Sequence, residues 1–157
     1  MEVNPYEKFW IALSVTAILV MLVAVGLAGF GLGIQLPGEA GALDPAKLSQ
    51  EPPFNQPGVY ETAPGKFQVV MLAQIWAFIP AEIKIPQGAE VTFKITSRDI
   101  THGILLEDSN LNIMILPGQV AEFSHTFTKS GEFRFVCHEY CGVGHQAMAG
   151  KIIVEPK

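Results

Sequence analysis

The sequence predicts a mainly β protein, a Greek-key barrel or sandwich of antiparallel strands, attached to one N-terminal transmembrane α-helix. Two features of this chain of 157 residues lead to that fold class. An uncharged apolar run lies near the start, and short runs rich in Val, Ile, Phe and Thr, separated by Gly and Pro, fill the C-terminal half. A proline-rich stretch lies between them. We therefore expect one strand domain on a stalk.

The apolar run FWIALSVTAILVMLVAVGLAGFGLGI covers residues 9–34, and no charged residue occurs between Phe9 and Gly38. As a helix, 26 residues would extend roughly 39 Å, against a bilayer core of about 30 Å. A cleaved signal peptide has a shorter apolar region, of about 7 to 15 residues, and a buried core helix rarely stays uncharged over such a length. We therefore expect an uncleaved membrane anchor at 9–34, preceded by a tail, residues 1–8.

Residues 35–65 hold six of the eleven prolines of the chain. Proline lacks the amide hydrogen that regular ladders need. This composition predicts an extended linker over 35–65, which would hold the following domain clear of the bilayer.

The strand domain is expected at 66–157. The segment AEVTFKIT, residues 89–96, alternates with Val91, Phe93 and Ile95 on one face. Similar alternation follows downstream, and GKIIVE reads as a final strand. Seven or eight strands without a convincing helical period predict an antiparallel Greek-key sandwich or small barrel.

The charge balance excludes one class of partner. The formal net charge is −5, and no run of basic residues occurs. Proteins that bind nucleic acid place clustered Lys and Arg against the phosphates. The sequence therefore predicts no nucleic-acid partner and a mildly acidic solvated surface.

Both cysteines of the chain lie in CHEYCGVGHQAM, residues 137–148. The spacing of four, four and three residues between Cys137, Cys141, His145 and Met148 would also fit one face of a short helix. Gly142 and Gly144 are poor helix residues, however, so we expect a loop joining the last two strands. A disulfide closing so small a loop would stabilise little. A redox pair is more often Cys-x-x-Cys beside a βαβ unit. Metal ligation also accounts for His145 and Met148.

The softness of these ligands indicates copper. Thiolate with thioether selects copper, whereas structural zinc sites make little use of methionine. A single blue copper needs one Cys and two His, so the second thiol suggests a dithiolate bridge between two copper ions. Each ion would then still need an imidazole and a weak axial donor.

His145 supplies one imidazole, and the second must come from His102, His125 or His138. His102 lies at a turn that enters a strand, where a side chain can point over the end of a barrel. His125 falls within an alternating strand pattern and is more typical of a core or face histidine, and His138 would tend to point away from the bridged metals. These positions favour His102.

The pattern C-x-x-x-C-x-x-x-H-x-x-M, with an upstream His-Gly and an N-terminal membrane helix, resembles subunit II of haem–copper cytochrome c oxidases. The resemblance covers nearly the whole chain, including PQGAEVTFKITS and NLNIMILPGQ. It implies a binuclear, mixed-valence copper centre, CuA, on a cupredoxin-fold domain. The implied ligands are the bridging Cys137 and Cys141, the terminal His102 and His145, and as axial donors Met148 and the backbone carbonyl of Glu139.

The single helix and short chain are most similar to the ba3-type branch, whereas many relatives carry a two-helix hairpin. The resemblance implies a prokaryotic cell membrane, a cytoplasmic N-terminus and a CuA domain on the outer, periplasmic side. It also implies electrons received from cytochrome c and passed to haem in subunit I, where oxygen reduction and proton pumping take place. A small separate single-helix subunit would occupy the place of the missing helix.

Glu139 and Trp76 each allow two interpretations. In longer relatives a glutamate at the position of Glu139 also binds a magnesium-type ion, and here the carboxylate could equally be hydrogen-bonded to protein. Trp76 is similar in position to the aromatic near the point where electrons enter in the family, and an aromatic there is as often barrel packing.

Two other functions compete with the oxidase subunit. A membrane-anchored copper-delivery protein would also carry an anchor and two cysteines, but such proteins usually have a thioredoxin-like fold whose helical patterns are missing here. CuA domains also occur in nitrous oxide reductase and some nitric oxide reductases. Chain length and the anchor favour the oxidase.

Overall fold

The computed structural model describes residues 4–31, 41–109 and 111–156. The chain divides into an N-terminal unit, Met1–Leu36, and a C-terminal unit, Pro37–Lys157. The two units are considered in turn.

The described part of the N-terminal unit, residues 4–31, contains one helix, α1, which is α-helical over Pro5–Gly26. It begins at Pro5, within the predicted tail, because two start signals coincide there. The side chain of Asn4 accepts a hydrogen bond from the Tyr6 amide at 2.9 Å, and proline suits a first helical position, where no amide hydrogen is needed.

The helix continues as a π-helical turn over Leu27–Gly31. Together the 27 residues of Pro5–Gly31 are long and apolar enough to cross a membrane, and none of the α-helical residues is buried within the protein. The last three residues of the predicted span, 32–34, lie outside the described residues. An apolar helix of this length, whose backbone groups are hydrogen-bonded within the helix, meets the requirements for a bilayer-spanning segment.

The C-terminal unit is built from ten strands in its described part. They are β1 (Gly58–Ala63), β2 (Lys66–Gln74), β3 (Ala77–Ile79), β4 (Glu82–Pro86), β5 (Glu90–Ser97), β6 (His102–Leu106), β7 (Asn112–Ile115), β8 (Ala121–Thr126), β9 (Gly131–Val136) and β10 (Ala149–Glu155). One sheet has the order β1-β2-β5-β8, with β3 also paired to β2, and the other has the order β4-β10-β9-β6-β7. The predicted mainly β, two-sheet architecture is confirmed.

Two strand pairs are parallel, β2 with β5 and β4 with β10, although the pattern predicted antiparallel strands. The reason is that the chain leaves the first sheet after β3, runs through β4 in the second sheet and then returns. It therefore enters β5 in the same direction as β2. Local alternation cannot reveal such a change of sheet.

The core lies between the two sheets. Val91, Phe93 and Ile95 of β5 are 0%, 2% and 0% exposed, which confirms the predicted inward face. The ring of Phe93 stacks on that of Phe123 in the neighbouring strand β8, with centroids 4.7 Å apart. Full burial stabilises a side chain of this size by about 1.5–3 kcal/mol.

The predicted linker 35–65 is wrong over its described part, residues 41–65. β1 is an edge strand paired with β2, and the prolines flank this strand instead of interrupting it. Upstream of β1, Leu48 and Phe54 are 1% and 2% exposed.

These two side chains belong to a second, smaller apolar cluster on the other face of β2. Its fully buried members are Leu48, Phe54, Val70, Leu72 and Val120. Backbone hydrogen bonds join the same segment to the loop before β8, from the Leu43 amide to the Gly118 carbonyl at 2.9 Å and from the Val120 amide to the Gly41 carbonyl at 3.0 Å. The folded unit therefore extends upstream of Lys66, because this face of β2 would otherwise expose apolar side chains.

Candidate metal centre

The loop between β9 and β10 carries the sulfur-rich motif, as the sequence predicts. It contains only a short 3-10 turn at His145–Ala147. The amide of Cys137 donates to the carbonyl of Met148 at 2.9 Å, which ties the two ends of the loop together. Gly142 has φ +107°, a conformation that suits glycine.

His102 reaches this loop from another part of the chain. It is the first residue of β6, which pairs antiparallel with β9 through Leu105 and Val136. Because the strands run in opposite directions, residues before Leu105 lie beside those after Val136. His102 is fully buried.

The two thiols lie side by side between the two imidazoles. The sulfurs of Cys137 and Cys141 are 3.6 Å apart, well beyond the disulfide bond length of about 2.05 Å, so both cysteines are free. Nδ1 of His102 lies 3.9 Å from the Cys137 sulfur. Nδ1 of His145 lies 3.6 Å from the Cys141 sulfur.

Two weaker donors complete the group. The thioether sulfur of Met148 lies 3.7 Å from the Cys141 sulfur, and the thiol of Cys137 donates to the carbonyl of Glu139 at 3.2 Å. Cys141 and Met148 are both 1% exposed. The structure thus brings together the six groups that the resemblance implies as ligands, and water is largely excluded from the sulfur atoms.

Burial raises the pKa of the Cys141 thiol to about 11, and the neighbouring Cys137 thiol adds to the shift because two thiolates side by side would repel. Without a metal, the Cys141 thiol is therefore protonated at neutral pH. A metal ion binds the thiolate form, so binding at Cys141 must release a proton.

Asp99 lies beside the site, although it is not among the residues predicted from the sequence. Its Oδ1 lies 2.8 Å from Nε2 of His102. Burial alone would raise the pKa of this carboxyl, but hydrogen bonds from His102 and from the amides of Ile75 and Ile100 outweigh burial and hold the pKa below its usual value. The available signal was the spacing Asp-x-x-His, which places a carboxylate within reach of the ring.

Trp76 lies beside the loop, in the turn between β2 and β3. Its indole Nε1 donates to the carbonyl of Cys141 at 3.0 Å, and the side chain is 44% exposed. The ring covers Gly144 so closely that a Cβ at that position would lie 2.4 Å from ring carbon Cδ2. Glycine at 144 is therefore required by the indole.

The other two histidines are not part of the cluster. His138 is exposed, and its Nδ1 lies 3.2 Å from the side-chain amide nitrogen of Asn112. His125 is half-buried in β8, with its ring edge-to-face on Phe127 at a centroid distance of 4.5 Å. The side chain of Glu139 is half-buried and packs against Gly103.

Exposed apolar side chains surround the loop. They form a group that we call the apolar rim: Ile75, Trp76, Tyr140 and Val143, which are 46%, 44%, 79% and 81% exposed. Trp76 covers the loop glycines, and the Tyr140 ring lies 5.7 Å from that of His145. An apolar surface of this kind at a site is typical of a docking surface.

Sulfur and imidazole donors in this combination fit copper better than zinc or harder ions. The donor loop closes one end of a rigid two-sheet sandwich. Fold and site together define a copper-binding protein of the cupredoxin class, with one N-terminal helix long and apolar enough to cross a membrane.

The family model described as cytochrome c oxidase subunit II, periplasmic domain, matches residues 66–156. A cytochrome c oxidase subunit 2 from Thermus thermophilus is 41% identical over 154 residues, which cover 96% of this chain and 92% of the relative. The chain belongs to the cytochrome c oxidase subunit II family.

Solved structures agree with this assignment. A heme–copper terminal oxidase dimer determined by cryo-EM contains a chain that matches with a TM-score of 0.73 and 35% identity, covering 96% of this chain and 99% of that one. The periplasmic domain of subunit II of cytochrome oxidase from Bradyrhizobium japonicum, at 19% identity, matches with a TM-score of 0.53 over 57% of this chain and 84% of that one, and supports the fold alone. The protein is therefore the electron-transfer subunit of a haem–copper terminal oxidase, an oxidoreductase complex.

The nitrous-oxide reductase of Cupriavidus necator is 31% identical over 123 residues, but these cover 76% of this chain and only 19% of the reductase. That enzyme shares a domain with this chain and not its overall organisation. The match to the oxidase subunit extends over nearly the full length of both chains. It therefore favours the oxidase subunit over a copper-delivery protein.

Proposed function

We propose that this subunit holds a binuclear CuA centre, which takes single electrons from a cytochrome c and passes them to haem in subunit I. One observation carries the proposal. Two buried free thiols lie 3.6 Å apart, and each has an imidazole Nδ1 within 3.9 Å. A site for one blue copper would need only one thiolate.

In this proposal Cys137 and Cys141 would hold both copper ions as thiolates, and His102 and His145 would each supply an imidazole. Met148 and the carbonyl of Glu139 would supply the weaker donor atoms. Two thiolate-bridged copper ions, when bound, share one unpaired electron and change their geometry little between oxidation states. The protein contributes burial of the sulfurs and a loop tied at both ends, which keeps the donors in place during electron transfer.

The cytochrome donor docks on the apolar rim. An apolar contact explains why the sequence carries no strongly charged run for docking. Trp76 is the residue where electrons enter, because its ring is exposed in the rim while its Nε1 is hydrogen-bonded to the carbonyl of Cys141. This contact gives a short connection from the surface to a bridging sulfur.

In the proposed assembly the one membrane-length helix of the described residues crosses the membrane once, so the N-terminus and the copper domain lie on opposite sides. The proposed orientation has the copper domain on the outer side, beside subunit I, and the N-terminus in the cytoplasm, and it is supported by the matching family model, which is described as a periplasmic domain. A small single-helix subunit completes the missing hairpin. The half-buried carboxylate of Glu139 supplies a ligand to a magnesium ion at the contact with subunit I.

The first test is the copper content and electron paramagnetic resonance spectrum of the full chain in detergent, loaded with copper. We expect two copper ions per chain and one unpaired electron distributed over two nuclei. One copper ion with a single-nucleus spectrum, or no stable copper, would refute the binuclear centre.

Three variants sharpen this test. Cys141→Ser removes one bridge and should abolish the binuclear spectrum. His138→Gln is the matched control for His145→Gln, since both histidines lie in the same loop and only His145 has a ring nitrogen near a sulfur. Retention of two coppers and an unchanged spectrum in Cys141→Ser would show that the bridge assignment is wrong.

The magnesium proposal is tested on the assembled complex. Metal analysis of the complex containing Glu139→Gln should show loss of magnesium with copper retained, because the backbone carbonyl is unchanged. Equal magnesium content in the complex containing the wild-type subunit and in the variant would refute a ligand role for this carboxylate.

A further inference from the structure

We propose that Asp99 is a positioning residue for the copper site, which fixes the ring nitrogen that His102 presents to the thiols and ties this imidazole to the turn that carries Trp76. The inference rests on the proposed copper centre. It concerns the carboxylate behind the site, which donates no ligand of its own.

The two ring nitrogens of His102 face different partners. Nε2 of His102 lies 2.8 Å from Oδ1 of Asp99, and Nδ1 of the same ring lies 3.9 Å from the Cys137 sulfur. An ionised carboxylate only accepts hydrogen bonds, so the ring hydrogen resides on Nε2. The lone pair is then on Nδ1, on the side of the thiols, which is the arrangement that a metal-binding imidazole needs.

The imidazole of His102 is shielded from solvent. The side chain of His102 is 0% exposed, so water cannot satisfy its ring nitrogens in place of protein. A ring without the carboxylate would lose the only short hydrogen bond described for it. The tautomer of His102 therefore depends on Asp99.

The carboxylate of Asp99 also accepts hydrogen bonds from two backbone amides. Oδ2 of Asp99 accepts from the amide of Ile75 at 2.7 Å, and Oδ1 also accepts from the amide of Ile100 at 2.7 Å. Ile75 directly precedes Trp76 in the turn between β2 and β3. One carboxylate thus spans two separate loops of the chain.

These contacts connect Asp99 to the donor loop by two routes. Trp76 returns to the donor loop through its hydrogen bond to the Cys141 carbonyl, while His102 reaches the same loop at Cys137. Asp99 is hydrogen-bonded to the start of both routes, the Ile75 amide and the His102 ring. The proposed ligand His102 and the proposed point of electron entrance at Trp76 are therefore positioned by a single side chain.

The test uses the full chain in detergent and compares wild type with Asp99→Ala, Asp99→Asn and the control Asp108→Asn. Asp108 is exposed at the turn after β6, beyond the end that carries His102, and its φ of 58° is one that asparagine tolerates. The control removes the same charge without touching the site. The readouts are the His102 tautomer from ¹⁵N resonances in the copper-free chain, the copper dissociation constant and the reduction potential.

We expect the wild-type ring to be in the Nε2–H form and the Asp99→Ala ring to show both tautomers. Copper affinity should fall on the order of 10- to 100-fold in Asp99→Ala, the loss typical when a partner behind a metal ligand is removed. In Asp99→Asn the reduction potential should rise, because a negative charge close to the copper ions is lost. Asp108→Asn should stay within about twofold of wild type in affinity, as expected for a charge in water.

An Nδ1–H form in the wild-type chain would overturn the inference. So would a wild-type tautomer and affinity in both Asp99 variants, which would show that the carboxylate serves only the backbone of the loops. If Asp99→Ala does not fold, Asp99→Asn decides alone: values equal to those of the control refute the positioning role. Wild-type protein that binds no copper would instead refute the proposed function, while the tautomer in the copper-free chain still tests this inference.

Discussion

The indole Nε1 of Trp76 donates a hydrogen bond to the carbonyl of Cys141 at 3.0 Å, between residues 65 positions apart in the chain. The indole ring is partly in solvent, while the thiol of Cys141 is buried. A surface aromatic is thus joined directly to the backbone of a residue whose sulfur lies in the centre of the donor cluster.

Replacing Trp76 with Leu should weaken the cytochrome donor's binding and slow its electron transfer, while the copper spectrum is retained. Truncating an aromatic anchor at an interface costs about 1–2 kcal/mol or more, so the KM for the cytochrome should rise roughly tenfold. Steady-state turnover at varied cytochrome concentration measures the KM, and stopped-flow reduction by the cytochrome measures the rate of electron transfer. Tyr60→Leu, an exposed aromatic outside the apolar rim, is the control, and equal effects in the two variants would contradict the assignment.

Replacing Gly144 with Ala should destabilise the donor loop. The added methyl carbon would lie 2.4 Å from the Trp76 ring, and overpacking of this kind typically costs about 1–3 kcal/mol. Thermal unfolding of the copper-free chain measures the loss. Val143→Ala, an exposed neighbour in the same loop, should unfold like wild type, and a Gly144→Ala chain as stable as that control would mean that the indole moves aside freely.

Replacing Met148 with Leu should keep both coppers and change the reduction potential and spectrum. In the proposed centre the Met148 thioether would be a weak ligand, so its loss would alter the copper electronics more than the affinity. A leucine of similar volume fills the buried position at a cost under about 1.5 kcal/mol. Metal analysis with redox titration tests this, and loss of copper from a folded Met148→Leu chain would contradict a weak axial role.

Replacing Leu48 or Phe54 with Ala should destabilise the strand domain, although both lie in a segment that its composition predicts to be a linker. Truncating a fully buried side chain of this size costs about 2–5 kcal/mol. Chemical denaturation of the full chain is the measurement. Gln50→Ala changes an exposed residue between them and should have little effect. If all three variants unfold alike, the segment does not support the domain.

The copper-free chain should lose the contribution of Asp99 in acid. The pKa of this carboxyl is lower in the folded than in the unfolded chain, so the folded state binds the proton less readily. The stabilisation is complete above the ordinary pKa near 3.8 and is lost as the pH falls through the folded-state value. Unfolding of wild type and Asp99→Asn between pH 3 and 7 should show a stability difference that shrinks below about pH 4. A difference that persists unchanged at pH 3 would argue against the shift.

Local patterns were reliable where one segment decides its own structure. The alternation of Val91, Phe93 and Ile95 predicted a buried face, and all three are buried. The glycines at 142 and 144 predicted a loop in place of a helix, and the structure has a loop with one short turn. In both cases the decisive physics, side-chain periodicity and backbone propensity, acts over a few residues.

Composition misled at 41–65. Prolines there suggested an extended linker, yet β1 forms between them and Leu48 and Phe54 cover one face of β2. A proline count records where a ladder cannot form, and it does not record which apolar surface needs covering. The segment folds because distant strands leave that face open.

The sequence by itself determined the membrane-length helix, the strand character of the second half and the concentration of Cys137, Cys141, His145 and Met148 in one loop, because each of these is written in adjacent residues. Only the tertiary structure decided that His102, 35 positions before Cys137, lies beside its sulfur, and that Asp99 joins this ring to the turn of Trp76. Periodicity specifies which side of a strand faces inward. Which strands become neighbours depends on the packing of the whole sandwich, and so does every contact between their ends.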